Sequence, residues 1–148
     1  ARRPLTVMIF DIDNFKQYND RFGHDAGDEI IREVVRLLQA TIRKGDHVCR
    51  VGGDEFAVLF CDPEPPREAG SNHPTTVEFL AKRFREQVAR AHFSKLGKDA
   101  QGTVSISGGL ATFPWDGSEV DSLLQKADER LFESKRHGKN TITIGKEK

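Results

Sequence analysis

The chain has 148 residues, 36% hydrophobic and 31% charged, with 23 basic and 23 acidic side chains and a formal net charge of zero. That length suits one domain with a real core, the charge balance provides no basic field for steering nucleic acid, and no apolar run approaches the roughly 20 residues of a membrane span. Cys49 and Cys61 are too few for a disulfide framework, lack CxxC spacing and pair with none of the five scattered histidines, so a reduced, cytoplasmic domain is expected, with no direct membrane contact and no signal peptide.

In chain order, Leu5 to Phe10 is apolar on both faces, as a central strand is, and ends in Asp11-Ile12-Asp13. A period of two places Asp11 and Asp13 on one side of the strand's carboxyl end. Phe15 to Phe22 reads as a short helix stopped by Gly23. Asp25 is the expected N-cap of a second helix, whose Ile30, Ile31, Val34, Val35, Leu38 and Ile42 recur at helical spacing. Its end is expected near Arg43-Lys44-Gly45.

A hairpin follows. His47 to Val51 and Phe56 to Phe60 are β-prone runs, and Gly52-Gly53 between them suits the positive φ of a tight turn. Asp54 and Glu55 then stand on adjacent residues at the head of an apolar strand. Two acids there add nothing to a core and repel each other; a metal ion or a polyphosphate complex would account for them.

Cys61 to Thr75 holds four prolines and reads as an exposed loop. Thr76 to Ala91 is a third helix with Val77, Leu80, Ala81, Phe84 and Val88 as its buried stripe. Thr103 to Ser107 alternates as a strand with Val104 and Ile106 inward, Gly108-Gly109 leads on through Leu110 to Phe113, and Pro114 to Gly117 turns the chain. Ser118 and Asp121 have capping-box spacing before a last helix striped by Val120, Leu123, Leu124, Ala127 and Leu131. Gly138 ends it, and Thr141 to Ile144 is a final strand.

This order does not alternate regularly enough for a doubly wound parallel sheet. An α+β fold is expected, a mostly antiparallel, ferredoxin-like sheet around a central hairpin with helices packed on it. The first strand then lies beside the hairpin, and Asp11 faces Asp54 and Glu55. Carboxylates converging from neighbouring strands suit a divalent cation, and magnesium favours such oxygen ligands while keeping waters or substrate phosphates in its shell. Two such ions bridge the attacking and leaving oxygens of a phosphoryl transfer. No GxxxxGK[ST] phosphate loop is present.

Gly52-Gly53-Asp54-Glu55-Phe56 matches the motif that names the GGDEF domains, the diguanylate cyclases. Phe10-Asp11-Ile12-Asp13-Asn14-Phe15-Lys16 resembles the family's metal-bearing strand end, Asn19 to Asp28 its nucleotide-base segment, and Ala127-Asp128 with Lys135 to Asn140 its last helix. The resemblance covers nearly the whole chain and implies a fold similar to the nucleotidyl cyclase palm. It implies a cytoplasmic bacterial signalling enzyme in which two GTP, one on each subunit of a homodimer, condense into cyclic di-GMP and two pyrophosphates. It further implies two Mg2+ (or Mn2+) per site on Asp11, Asp54 and the Ile12 carbonyl, with Glu55 at the metal or deprotonating the attacking hydroxyl. Asn19 and Asp28 would read guanine. The backbone N–H groups of Asn14, Phe15 and Lys16 would hold terminal phosphates beside Gly52 and Gly53, and Lys135 and Lys139 would neutralise their charge. Arg43 and Asp46 have the family's RxxD product-site pattern, with Arg83 as a second arginine.

The residues by themselves leave other readings open: Asp28 as a helix-dipole acid, Lys135 and Lys139 as helix C-terminal cations, Arg43 and Asp46 as a surface ion pair. The alternative at the level of function is a non-catalytic domain that binds GTP or cyclic di-GMP. The expectation is a single domain over residues 1–148, without the Asp-x-Leu-Thr-Gly-Leu-x-Asn-Arg stretch with which the family usually opens, and with an upstream sensory or receiver domain in the parent protein. Lys139 stands where arginine is usual, and lacks its bidentate geometry.

Overall fold

A computed structural model describes residues 5–61, 73–93 and 104–145. The elements are β1 (Leu5–Ile12), α1 (Phe15–Phe22), α2 (His24–Thr41), β2 (His47–Gly52), β3 (Glu55–Cys61), α3 (His73–Arg90), β4 (Ile106–Phe113), α4 (Val120–Arg136) and β5 (Ile142–Thr143). They form a five-stranded sheet in the order β2-β3-β1-β4-β5, antiparallel except for the β4–β5 pair. The first four strands of this order give the expected ferredoxin-like topology. The middle of the sheet is β1 rather than the hairpin, and β2 is an edge strand. Most of the proline-rich loop, the connection before Val104 and the chain's first four residues lie outside the described residues.

The apolar run of β1 is buried on both faces because each face has its own helical cover. Met8, Phe10 and Ile12 join Phe56, Val58 and Phe60 of β3 against Ile30, Val34 and Leu38 of α2 and Val77, Ala81, Phe84 and Val88 of α3. Phe10 anchors this side, stacked on Phe56 at 5.2 Å and edge-on to Phe84 at 5.1 Å. Val7 and Ile9 point the other way, with Ala111, against Leu123, Ala127 and Leu131 of α4. Alternation along one strand thus builds two cores.

Local expectations fail where a turn is shorter, or a helix closer, than pattern alone conveys. Gly23, at φ 91°, turns the chain from α1 directly into α2, so His24 starts α2 and Asp25 lies inside its first turn instead of capping it. That helix ends at Thr41, before the basic residues, and Gly45 (φ 98°) serves the following turn. Neither Gly52 nor Gly53 takes a positive φ; a register shift between Arg50 and Gly52 accompanies the reversal. The β4 strand is continuous through Gly108 and Gly109. Glu119, not Ser118, precedes α4, with no side-chain cap, and Val120 and Leu124 are exposed. The cause of that rotation is Gly109: a Cβ there would lie 2.2 Å from the Ala127 carbonyl oxygen and 2.5 Å from the Leu131 nitrogen. The helix rests its backbone on the sheet at this glycine, so its buried stripe runs through Leu123, Ala127, Leu131 and Ser134.

Polar ties complete the attachment of α4. Arg130 donates to the Leu110 carbonyl at 2.7 Å and pairs with Asp116 at 2.9 Å, and Ser134 donates to the Gly108 carbonyl at 2.7 Å. Gly109→Ala places a methyl group against backbone that has no rotamer to yield, and is expected to destabilise the domain by about 2 kcal/mol or more, read from urea unfolding. A variant with the parental midpoint would refute this packing.

Candidate functional site

The site collects where β1 ends. Asp11 pairs in register with Glu55 on one side and Ser107 on the other, and the Ile12 N–H donates to the Asp54 carbonyl at 3.3 Å. That bond ties the hairpin turn to the strand end, and it brings Asp54 close enough for its charge to act on Asp11. The Lys135 ammonium lies 2.5 Å from Asp11 Oδ2, delivered by the last turn of α4. Burial pushes the Asp11 carboxyl up to about 6; Lys135 pulls it down, and the charges of Asp54 and Asp13 raise it further.

Among the described residues no three His, Cys, Asp or Glu side chains converge as a metal cluster. The donors at hand are the carboxylates of Asp11 and Asp54 and the Ile12 carbonyl, an all-oxygen set. Asp11 Oδ1 is buried with no hydrogen-bond partner, and an orphaned carboxylate oxygen beside a second acid is what a divalent cation satisfies. The residues therefore fit magnesium or manganese whose remaining ligands are water and substrate. Asp13 differs. It lies just past β1 on the face of Asp11, as a period of two predicts, and its side chain turns to the start of β4. Both its oxygens accept hydrogen bonds there, from the Ser105 and Ser107 hydroxyls at 2.7 and 2.6 Å.

Next to the acids, α1 opens at Asn14 (φ 58°), whose side chain makes no capping bond, and its first turn carries no acid. The leading N–H groups, over Phe15 and Lys16, are thus left for an anion. Lys139 reaches this end from the loop after α4, its Nζ 2.7 Å from Asn14 Oδ1. Gly52 and Gly53 present open space, with nothing within 4 Å of where a Cβ would stand.

The two residues expected to read the base, Asn19 and Asp28, stand on α1 and α2. Asn19, partly buried on α1, packs onto Gly27 of α2, where a Cβ would sit 1.9 Å from its Oδ1. Asp28 is the next residue and is exposed. Gly27 permits this crossing, and the sequence's only hint of it is a glycine inside an otherwise sound helical pattern. Two further contributors were not singled out by their pattern. Arg50 donates from Nε (2.9 Å) and Nη2 (2.5 Å) to the Gly53 carbonyl, bracing the turn that carries Asp54. Arg85 of α3 reaches Asn140 Oδ1 at 3.1 Å.

The RxxD segment is more than a surface pair. Asp46 has a wholly buried side chain, which accepts from the Arg43 backbone N–H at 2.8 Å, the Arg43 guanidinium at 3.2 Å and the Cys61 N–H at 2.9 Å. Arg43 keeps part of its side chain exposed. Arg83 is exposed on α3, and among the described residues no hydrogen bond or ion pair joins it to either.

A mostly antiparallel ferredoxin-like sheet with acids at the end of its central strand defines the class. The family model of the diguanylate cyclase GGDEF domain matches residues 1–141, and the chain belongs to the GGDEF domain family. Diguanylate cyclase A of Treponema denticola is 31% identical over 145 residues, 98% of this chain and 36% of that protein. The response regulator PleD of Caulobacter vibrioides is 34% identical over 143 residues, 97% of this chain and 29% of that protein. The chain thus spans about a third of the length of these curated relatives. Among solved structures, the active GGEEF domain of a Vibrio cholerae diguanylate cyclase superposes with a TM-score of 0.81 at 28% identity, covering 99% of this chain and 86% of that one. The GGDEF domain of DgcB from Caulobacter crescentus, in complex with c-di-GMP, gives 0.78 at 29% identity, covering 96% and 78%.

The raised carboxyl of Asp11 carries a stability signature. Its folded value lies above the usual 3.8, so the native state binds more protons than the unfolded chain between 3.8 and about 6. Stability held below that window is lost as pH rises through it. In metal-free buffer, Asp11→Asn is expected to abolish this decline and to be at least as stable as the parent above the window. Thermal melts across the range check it, and a parent more stable than the variant at neutral pH would contradict it.

Proposed function

We propose that this domain is a diguanylate cyclase. Two GTP, one on each of two facing copies, condense into cyclic di-GMP with release of two pyrophosphates; each 3′-hydroxyl attacks the other nucleotide's α-phosphate, which breaks its bond to the β-phosphate oxygen. The observation that carries the reading is the register that sets Asp11, with its orphaned oxygen, against Asp54 and Glu55.

Two Mg2+ or Mn2+ ions, held by Asp11, Asp54 and the Ile12 carbonyl, supply Lewis acidity at the α-phosphate when bound. Glu55, beside Asp54 on the turn, accepts the proton of the attacking hydroxyl or joins the metal shell. Asp28 accepts from guanine N1–H and N2–H, groups adenine does not present as a pair, and Asn19 completes the base contact. The N–H groups at Asn14, Phe15 and Lys16 take the terminal phosphates, with Gly52 and Gly53 leaving room above the turn. Lys139 adds charge from the far side, and Lys135 both partners Asp11 and faces the phosphates.

Product control is read onto Arg43, Asp46 and Arg83. Because Asp46 is enclosed, Arg43 and Arg83 offer the guanidinium forks for phosphate and guanine, with Asp46 holding Arg43 in place. The parent protein carries an upstream regulatory domain and works in the cytoplasm. No helix among the described residues is long and apolar enough to cross a membrane.

Incubation with GTP and magnesium, followed by chromatography for cyclic di-GMP, tests the activity. Asp54→Ala is expected to abolish product while leaving the far-ultraviolet circular dichroism and the melting temperature near parental values; undiminished synthesis would end the assignment. Arg43→Ala is expected to raise product yield at long times with little change in initial rate. Calorimetry with cyclic di-GMP checks it, and equal affinity in parent and variant would remove Arg43 from product control.

A further inference from the structure

We infer that Asp13 is a positioning residue for Lys139, acting through the backbone of the loop that follows α4. The inference rests on the proposed role of Lys139 as a triphosphate ligand.

That loop has an uncommon backbone. Gly138, Lys139 and Asn140 are consecutive left-handed residues, at φ 104°, 65° and 48°. Only the first is glycine, and non-glycine residues adopt this region at a cost that their surroundings must offset. Part of the compensation is local. The Lys139 N–H donates to the Ser134 carbonyl at 3.0 Å, and the Thr141 hydroxyl to the Lys139 carbonyl at 3.1 Å. Two bonds locate the loop against the rest of the fold: the Gly108 N–H donates to the Thr141 carbonyl at 2.9 Å, fixing the start of β5, and the Asn140 N–H donates to Asp13 Oδ2 at 3.0 Å, fixing the residue next to Lys139. Arg85 holds the other side of Asn140.

Asp13 is built to be a fixed point. It is 2% exposed, its oxygens are oriented by the hydroxyls of Ser105 and Ser107, and its own N–H donates to the Ser105 carbonyl at 2.9 Å. Three hydrogen bonds from protein groups converge on its two oxygens. Its chain neighbour, Asn14, receives the Lys139 ammonium. Two adjacent residues at the junction of β1 and α1 therefore grip two adjacent residues of the loop, one by backbone and one by side chain. The first grip sets where the Lys139 backbone stands; the second shows how far its ammonium then reaches, to the N-terminus of α1. Without the first, a flexible lysine would sample many positions around the phosphate site.

The test is a double-mutant cycle on Asp13→Ala and Lys139→Ala, read by calorimetry with 3′-deoxy-GTP and magnesium, a nucleotide that lacks the attacking hydroxyl. Ser107→Ala serves as control, since it removes a bond to the opposite oxygen, Oδ1, and leaves the Asn140 contact in place. Asp13→Ala is expected to weaken binding about tenfold, the scale of one hydrogen bond to a charged group, and to cost nothing further once Lys139 is already alanine. With GTP the loss appears in KM more than in kcat, and amide exchange at Asn140 accelerates in Asp13→Ala but not in Ser107→Ala. Asp13→Asn, of the same shape but with one acceptor oxygen, is expected to recover part of the affinity; should Asp13→Ala not fold, it takes that variant's place in the cycle. Additive losses, or an equal loss in Ser107→Ala, would overturn the positioning role. So would parental affinity in Asp13→Ala alongside a loss in Lys139→Ala. Parental affinity in Lys139→Ala would overturn the phosphate reading beneath it.

Discussion

The antiparallel register that sets Asp11 opposite Glu55, closed by the Ile12 N–H to the Asp54 carbonyl, is the constraint on which the site depends. Side chains alternate with a period of two, so a slip of one residue would send Asp11 to the opposite face. The slip is prevented by the cores on both sides of β1. Moving Phe10 to the α4 side would take it from Phe56 and Phe84, and would carry Val7 and Ile9 under α2 and α3. Hydrophobic packing several residues away therefore decides the distance between carboxylates, at a scale of roughly 1.5–3 kcal/mol for each large apolar side chain involved.

The same strand end shows what the fold tolerates for the sake of the site. Asp11 is desolvated, has one oxygen without a partner and lies within the fields of Asp54 and Asp13. Lys135 offsets part of this. Folding alone would favour a neutral residue at this position, and a site that concentrates negative charge for a cation is the physical reason to keep an acid there.

Much of this was legible in the chain itself. The doubly apolar run of β1 demanded helices on both faces, and the stripes of α2 and α3 supplied one of them. The acids after the glycine pair lay at a turn, so a period of two and the order of elements sufficed to bring them to Asp11. Contacts between elements distant in sequence were another matter. Nothing in the pattern conveys that α1 lies across Gly27 or that α4 rests on Gly109. Alternation put Asp13 on the side of Asp11, where it stands beside Ser107, but its enclosure by Ser105, Ser107 and the Asn140 N–H needed the loop after α4. Asp46 matched a pattern, but its enclosure beneath Arg43 and Cys61 depends on a strand end fifteen residues away.

The two cores differ in size, and this bears on how the cationic half of the site is held. Among the described residues nineteen buried apolar side chains bind the sheet to α2 and α3, whereas six enclose the contact with α4. What α4 lacks in apolar bulk it replaces by backbone contact at Gly109 and by the bonds of Arg130 and Ser134 to the Leu110 and Gly108 carbonyls. Lys135 therefore owes its place beside Asp11 to an absent side chain on β4: any group added at Gly109 would lift the helix and carry the ammonium away from the acid, although Gly109 and Lys135 never touch.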